Sequence, residues 1–148
     1  RQAVEDGARA MAMVRRRAPE WGVDPERIGV LGFSAGAFLA ADLAIGPEAS
    51  RPAFVGLICG GLRGPVPADA SPAFIASAAD DEFTPDDPVQ LYRAWRKAGV
   101  EAELHLYAHG GHGFDLRRKG TTSDHWFAQF LWWMQSRGLT APVQKSSD

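Results

Sequence analysis

Four short apolar runs alternate along this chain with segments of helical periodicity. Runs rich in β-branched and small residues predict buried strands, whereas apolar residues spaced three and four apart predict helices. The predicted strands are residues 27–31, 54–59, 73–78 and 103–107. The predicted helices are residues 2–18, 35–45, 88–98 and 123–137. This alternation favours an α/β fold, with a mostly parallel sheet that carries helices on both faces.

The junction between the first predicted strand and the second helix reads Gly32-Phe33-Ser34-Ala35-Gly36, a G-x-S-x-G pattern. A serine on a strand-to-helix turn lies on a sharp, strained bend that holds its hydroxyl clear of the sheet. We expect a Cβ at either glycine to clash in so tight a bend. The Ala35 N–H, at the helix start, is a candidate oxyanion donor. The pattern predicts a nucleophilic serine; the alternative is a structural turn with an incidental serine.

A nucleophilic serine needs a histidine base and an acid that orients the base, and both types of residue follow Ser34 in that order. Three adjacent acids, Asp80, Asp81 and Glu82, follow the third predicted strand. The carboxyl ends of parallel strands are where open α/β sheets carry functional groups. Structural roles compete with catalysis here, because Asp80 is suited to cap the turn and Glu82 to remain solvated.

The candidates for the base are His105, His109, His112 and His125. His105 lies within a predicted strand and His125 within the last predicted helix, so both are expected to be packing or surface residues. His109 and His112 share the loop after the fourth predicted strand. Glycines on both sides of His112 allow a close approach to other segments and favour it as the base. Phe114 is expected to anchor this loop.

Three motifs together resemble those of the α/β-hydrolases: residues 32–40, the pair Asp80-Asp81 with Pro85 beyond it, and residues 110–114. The chain is most similar to the acetyl-esterase and feruloyl-esterase-like group, which includes carbohydrate esterases and xylanase-associated esterases. The resemblance covers residues 1–139 and implies the carboxyl-terminal part of an α/β-hydrolase domain. Residues 140–148 are expected to form a polar tail.

The resemblance implies specific roles for four residues. Ser34 would be the nucleophile, Asp81 the acid, His112 the base, and Ala35 an oxyanion donor. The implied reaction is hydrolysis of carboxylic esters with short acyl groups, such as acetylated or feruloylated carbohydrates, through an acyl-enzyme. Neither a metal nor another cofactor is expected. Ala37-Phe38 and Asp115 depart from the family pattern, and they leave the acyl and alcohol preference open.

A second expectation concerns the amino-terminal strands and the H-G-G-G-type loop of a complete hydrolase, which supplies another oxyanion donor. No such motif occurs in these 148 residues, so we expect the chain alone to be weakly active. The first predicted strand would then have an unpaired edge. A second copy or an amino-terminal segment would cover that edge.

The composition restricts the classes of binding partner but does not identify the reaction. The net charge of −2 argues against nucleic-acid binding, and we see no apolar run long enough to span a membrane. Cys59 is the single cysteine and is expected to be a buried small hydrophobe. Two other functions stay open: a peptidase of the prolyl-oligopeptidase type, and a catalytically incomplete fragment that acts as an assembly module. Localisation stays open as well.

Overall fold

Four parallel strands form one sheet in the computed structural model, which describes residues 2–140 of the chain. The strands are β1 Val30–Phe33, β2 Val55–Ile58, β3 Ala73–Ala78 and β4 Ala102–Tyr107, in that spatial order. The helices are α1 Gln2–Arg17, α2 Ala35–Ala44, α3 Asp87–Lys97 and α4 Trp126–Ser136. The predicted α/β fold is confirmed. Apart from Thr140, the predicted polar tail lies outside the described residues.

The two central strands, β2 and β3, are buried along their whole length. Successive side chains of a strand point to opposite faces, so each strand feeds two apolar clusters. On one face Leu57 and Ile75 pack with residues of α2 and α3. On the other face Ile58 and Phe74 pack with the aromatic side chains of α4. A sheet covered on both sides explains why the central strands read as continuous apolar runs.

Helix α2 lies close to the sheet because its buried face is built mainly of alanine. Its buried residues are Ala37, Ala40, Ala41, Leu43 and Ala44. Small side chains let the helix backbone approach β1 and β2, and alanine also has the highest helix propensity. The close approach brings the first turn of α2 over the carboxyl ends of the strands.

The first strand is displaced from its predicted position at residues 27–31. The Asp24 side chain accepts the Glu26 N–H at 2.9 Å and caps a short 3₁₀ turn, Pro25–Arg27, which removes Arg27 from the strand. At the other end the strand continues to Phe33, which pairs with Ile58 of β2. The strand therefore runs directly into the serine-bearing turn.

Other boundaries differ by smaller amounts. The last helix was predicted at residues 123–137, but a 3₁₀ turn, Thr122–His125, precedes α4. Cys59 is fully buried, as expected, but lies just beyond the end of β2. Within the described residues β1 pairs with β2 alone, and β4 is the opposite edge. No helix in residues 2–140 has an apolar stretch that would cross a membrane.

Trp95 of α3 supports the first cluster through packing and through one polar contact. Its side chain is fully buried, and Nε1 donates to the Ser71 carbonyl at 2.8 Å. We predict that Trp95→Phe lowers the free energy of unfolding by about 2–3 kcal/mol, from lost packing and an unpaired buried carbonyl. The measurement is urea denaturation followed by circular dichroism.

Trp132 of α4 is the matched control because it is 65% exposed. We expect Trp132→Phe to change the free energy of unfolding by less than about 0.5 kcal/mol. Equal losses in the two variants would contradict the assignment of Trp95 to the core.

Candidate active site

Ser34 lies in the turn between β1 and α2 with a backbone that side chains rarely adopt. Its φ is +51° and its ψ is −119°. Such a conformation costs on the order of 1–3 kcal/mol and persists only where neighbouring contacts impose it. The Ser34 N–H donates to the Ile58 carbonyl at 2.9 Å, and its own carbonyl accepts the Ala37 N–H. The turn is thus tied to β2 on one side and to α2 on the other.

The two glycines of the G-x-S-x-G pattern have different roles. A Cβ at Gly32 would lie 2.1 Å from the Gly36 carbonyl oxygen, a backbone atom that cannot move aside. A Cβ at Gly36 would meet nothing within 4 Å. The expectation that both positions exclude a side chain is therefore wrong for Gly36, because the helix turns that position toward open space.

His112 is carried by the loop that follows β4. Gly111 and Gly113 on either side have φ values of +62° and +70°, so both adopt the left-handed conformation that glycine tolerates. Phe114 is buried against Tyr107 and Trp126 and anchors the far end of the loop, as predicted. The loop projects the imidazole over the carboxyl edge of the sheet.

Asp81 follows β3 and is almost completely buried, with 1% of its surface exposed. One carboxylate oxygen accepts the Phe83 N–H at 2.9 Å, and the other accepts the Thr84 hydroxyl at 2.8 Å. Burial raises the pKa of the Asp81 carboxyl, but hydrogen bonds from His112, Phe83 and Thr84 outweigh it and hold the pKa below its ordinary value. The carboxylate is therefore ionised at neutral pH.

The structure brings Ser34, His112 and Asp81 together in one hydrogen-bonded row. The distance from Ser34 Oγ to His112 Nε2 is 2.7 Å, and His112 Nδ1 lies 2.9 Å from the nearer Asp81 oxygen. An ionised carboxylate only accepts, so Nδ1 carries the proton and Nε2 is free to accept from the serine hydroxyl. Ala35 is the first residue of α2, where the N–H has no intrahelical acceptor.

The competing acids and histidines are not members of this hydrogen-bonded row. His105 faces Glu103 at 2.7 Å, and His109 lies 3.4 Å from Asp80. His125 ends the 3₁₀ turn before α4, and Glu82 is exposed. In the part of the chain that the structure describes, no three histidine, cysteine or acidic side chains gather in a metal-binding arrangement.

Sequence reasoning missed two residues beside this row. Thr84 donates to Asp81 through both its N–H and its hydroxyl, an arrangement that its position three residues after Asp81 could have indicated. Phe83 lies beside His112, with ring centroids 4.9 Å apart, and is 77% exposed. No local pattern marks an exposed aromatic residue as a neighbour of a histidine 29 positions away.

Comparisons with known proteins show the family of this chain and support its fold. Residues 1–136 match the sequence model of the dienelactone hydrolase family. The chain is 30% identical over 147 residues to acetylxylan esterase of Xylanibacter ruminicola, an alignment that covers 75% of this chain and 30% of that relative. The chain therefore spans less than a third of that relative's length.

Two solved structures are similar over nearly the whole chain. One is MGS-M1, an α/β hydrolase enzyme from a Medee basin deep-sea metagenome library, with a TM-score of 0.82, 25% identity, and coverage of 90% of this chain and 63% of that one. The other is an acetyl ester-xyloside bifunctional hydrolase from Caldicellulosiruptor lactoaceticus, with a TM-score of 0.79, 25% identity, and coverage of 93% and 66%.

The difference between the two glycines can be measured. We predict that Gly32→Ala lowers the free energy of unfolding by more than about 3 kcal/mol, because the new methyl group overlaps a backbone oxygen. Gly36→Ala should be neutral or stabilising by up to about 1 kcal/mol, since alanine favours the helix and meets no neighbour. Urea denaturation of both variants tests this, and similar losses would show that the turn is packed differently.

Proposed function

Because this chain belongs to the dienelactone hydrolase family of α/β-hydrolases, we propose that it hydrolyses carboxylic esters with Ser34 as nucleophile, His112 as general base and Asp81 as orienting acid. The observation that carries the proposal is the unbroken hydrogen-bonded row that joins these three side chains. The acid is buried, the base is partly buried, and the serine lies at a helix start, an arrangement suited to nucleophilic catalysis.

In the proposed first step, the Ser34 Oγ bonds to the ester carbonyl carbon while its proton passes to His112 Nε2. Asp81 stabilises the imidazolium that forms and keeps the ring in the productive tautomer. The carbonyl oxygen becomes an oxyanion, to which the Ala35 N–H donates. When the C–O bond breaks, the alcohol leaves with the proton from His112. Water then attacks the acyl-enzyme by the same route, which releases the carboxylic acid and restores the serine.

For the substrate, we propose short-chain esters, with acetylated carbohydrate as the leading class. Two relatives support this choice by what they are named for, acetylxylan and acetyl ester-xyloside hydrolysis. The exposed ring of Phe83 beside His112 adds a flat apolar surface at the mouth of the site. Such a surface suits the apolar face of a sugar ring or a small acyl group.

The first experiment tests the nucleophile directly. We predict that a fluorophosphonate probe labels the protein on Ser34, as read by peptide mass spectrometry, and that Ser34→Ala abolishes the label. Asp81→Asn should slow labelling by about 10³–10⁴-fold, because the amide no longer holds the Nδ1-protonated tautomer. Asp69→Asn is the control, since Asp69 is exposed and pairs with Arg51 away from the site. Labelling that survives Ser34→Ala would refute the proposed nucleophile.

The second experiment separates ester from peptide hydrolysis. We predict release of acetate from acetylated xylo-oligosaccharides and of nitrophenol from p-nitrophenyl acetate, with slower turnover of longer acyl esters. Phe83→Ala should raise the KM of the acetylated oligosaccharide by about three- to tenfold while kcat changes little, because uniform binding is lost. Cleavage of proline-containing peptides in preference to every ester would instead favour a peptidase.

A further inference from the structure

The peptide unit that joins Gly110 to Gly111 is held at both ends by side chains from other segments. The Gly111 N–H donates to Asp80 Oδ1 at 2.8 Å, and the same oxygen accepts the Gly110 N–H at 3.0 Å. The carbonyl oxygen of Gly110 accepts Lys119 Nζ at 2.9 Å. Gly111 alone separates the Cα of His112 from this peptide unit, so holding the unit restrains the chain directly before the imidazole.

The loop needs such support because its own backbone forms no regular secondary structure that would restrain it. Residues 108–113 belong to no helix or strand, and Gly111 and Gly113 can adopt many other conformations. The buried ring of Phe114 fixes only the far end. A restraint on the near end would therefore help to keep His112, whose ring also contacts Asp81, at its 2.7 Å contact with Ser34.

Asp80 is the chain neighbour of Asp81, so one turn after β3 supplies both carboxylates. We propose that Asp80 is a positioning residue that locks the His112 loop to the Asp81 turn, with Lys119 as the second support of the same peptide unit. This inference rests on the proposed function, in which His112 is the base. Acid and base would then keep their spacing even when both loops move, because the Asp80 hydrogen bonds make the two loops one body.

The bonds of Asp80 favour positioning over a direct effect of its charge on the imidazole. Its carboxylate is 43% exposed, where solvent and salt screen its field, and its contact with His109 is long at 3.4 Å. The two N–H donors share a single oxygen, and the Gly111 bond in particular lowers the pKa of the Asp80 carboxyl. Hydrogen bonding and charge predict different results for an amide at this position, since an amide oxygen also accepts two N–H groups.

Lys119 is itself held in place. Its N–H donates to Asp124 Oδ1 at 2.9 Å, and the following Gly120 N–H donates to Asp124 Oδ2 at the same distance. The support therefore extends from the turn before α4, through Lys119, to the loop of His112. Asp80 and Lys119 restrain the same peptide unit, so their effects should be strongly non-additive.

The experiment compares Asp80→Ala, Asp80→Asn and the control Asp69→Ala by two measurements. The first is amide hydrogen exchange of the peptide that spans residues 108–114, which does not depend on activity. The second is the maximal rate of fluorophosphonate labelling, separated from probe affinity by varying probe concentration. For Asp80→Ala we expect faster exchange and a maximal rate lower by about tenfold, with unchanged probe affinity. The maximal labelling rate of Asp80→Asn should lie within about threefold of the wild-type rate, and Asp69→Ala should label at the wild-type rate.

Two outcomes would overturn the inference. If residues 108–114 exchange amide hydrogens equally fast in Asp80→Ala and Asp69→Ala, the loop is held by other contacts. If Asp80→Asn is labelled as slowly as Asp80→Ala, and both variants exchange amide hydrogens at the wild-type rate, the effect on labelling is due to charge. Adding Lys119→Met to Asp80→Ala should slow labelling less than the product of the two single effects. If the wild type is not labelled at all, the proposed function fails, and hydrogen exchange alone decides whether Asp80 holds the loop.

Discussion

The left-handed backbone of Ser34 is the constraint on which this site depends. It holds the hydroxyl at the sheet edge, and it exists because Gly32 has no Cβ and the Ser34 N–H is bonded to β2. Cys59, directly after β2, also has a positive φ, +53°, and its N–H donates to the Ala76 carbonyl of β3. Adjacent strands are therefore each followed by a residue of positive φ whose N–H is bonded to the next strand, and these bonds help to hold the costly backbone conformation.

The parallel sheet brings other side chains to the bend that carries Ser34. Parallel strands point their carboxyl ends to one edge, so the residues after β1, β3 and β4 meet although 78 positions separate Ser34 from His112. The buried strands β2 and β3 fix the register on which this meeting depends. Core packing by residues such as Trp95 thus stabilises the sheet whose carboxyl edge carries these residues.

The sequence predicted what is local and left open what depends on distant segments. Apolar runs predicted the fold, and glycine-flanked motifs indicated Ser34 and His112, because the residues next to a turn largely determine its conformation. The start of β1 was missed, since an Asp24 cap competes with strand propensity. The clash expected at Gly36 was wrong because it depends on the direction of α2. Neither the hydrogen bonds of Asp80 nor the ring of Phe83 could be inferred, as their partners lie about 30 residues away.

The side chains of the site become more exposed from Asp81 through His112 to Phe83, an order that suits the proposed chemistry. Asp81 is enclosed and saturated with hydrogen bonds, so its charge and position are fixed before substrate arrives. His112 is three-quarters enclosed, which leaves Nε2 able to exchange protons with Ser34. Phe83 and Asp80 are exposed, and their positions depend on only a few contacts. Preorganisation is therefore strongest at the buried carboxylate of Asp81, where charge must be held.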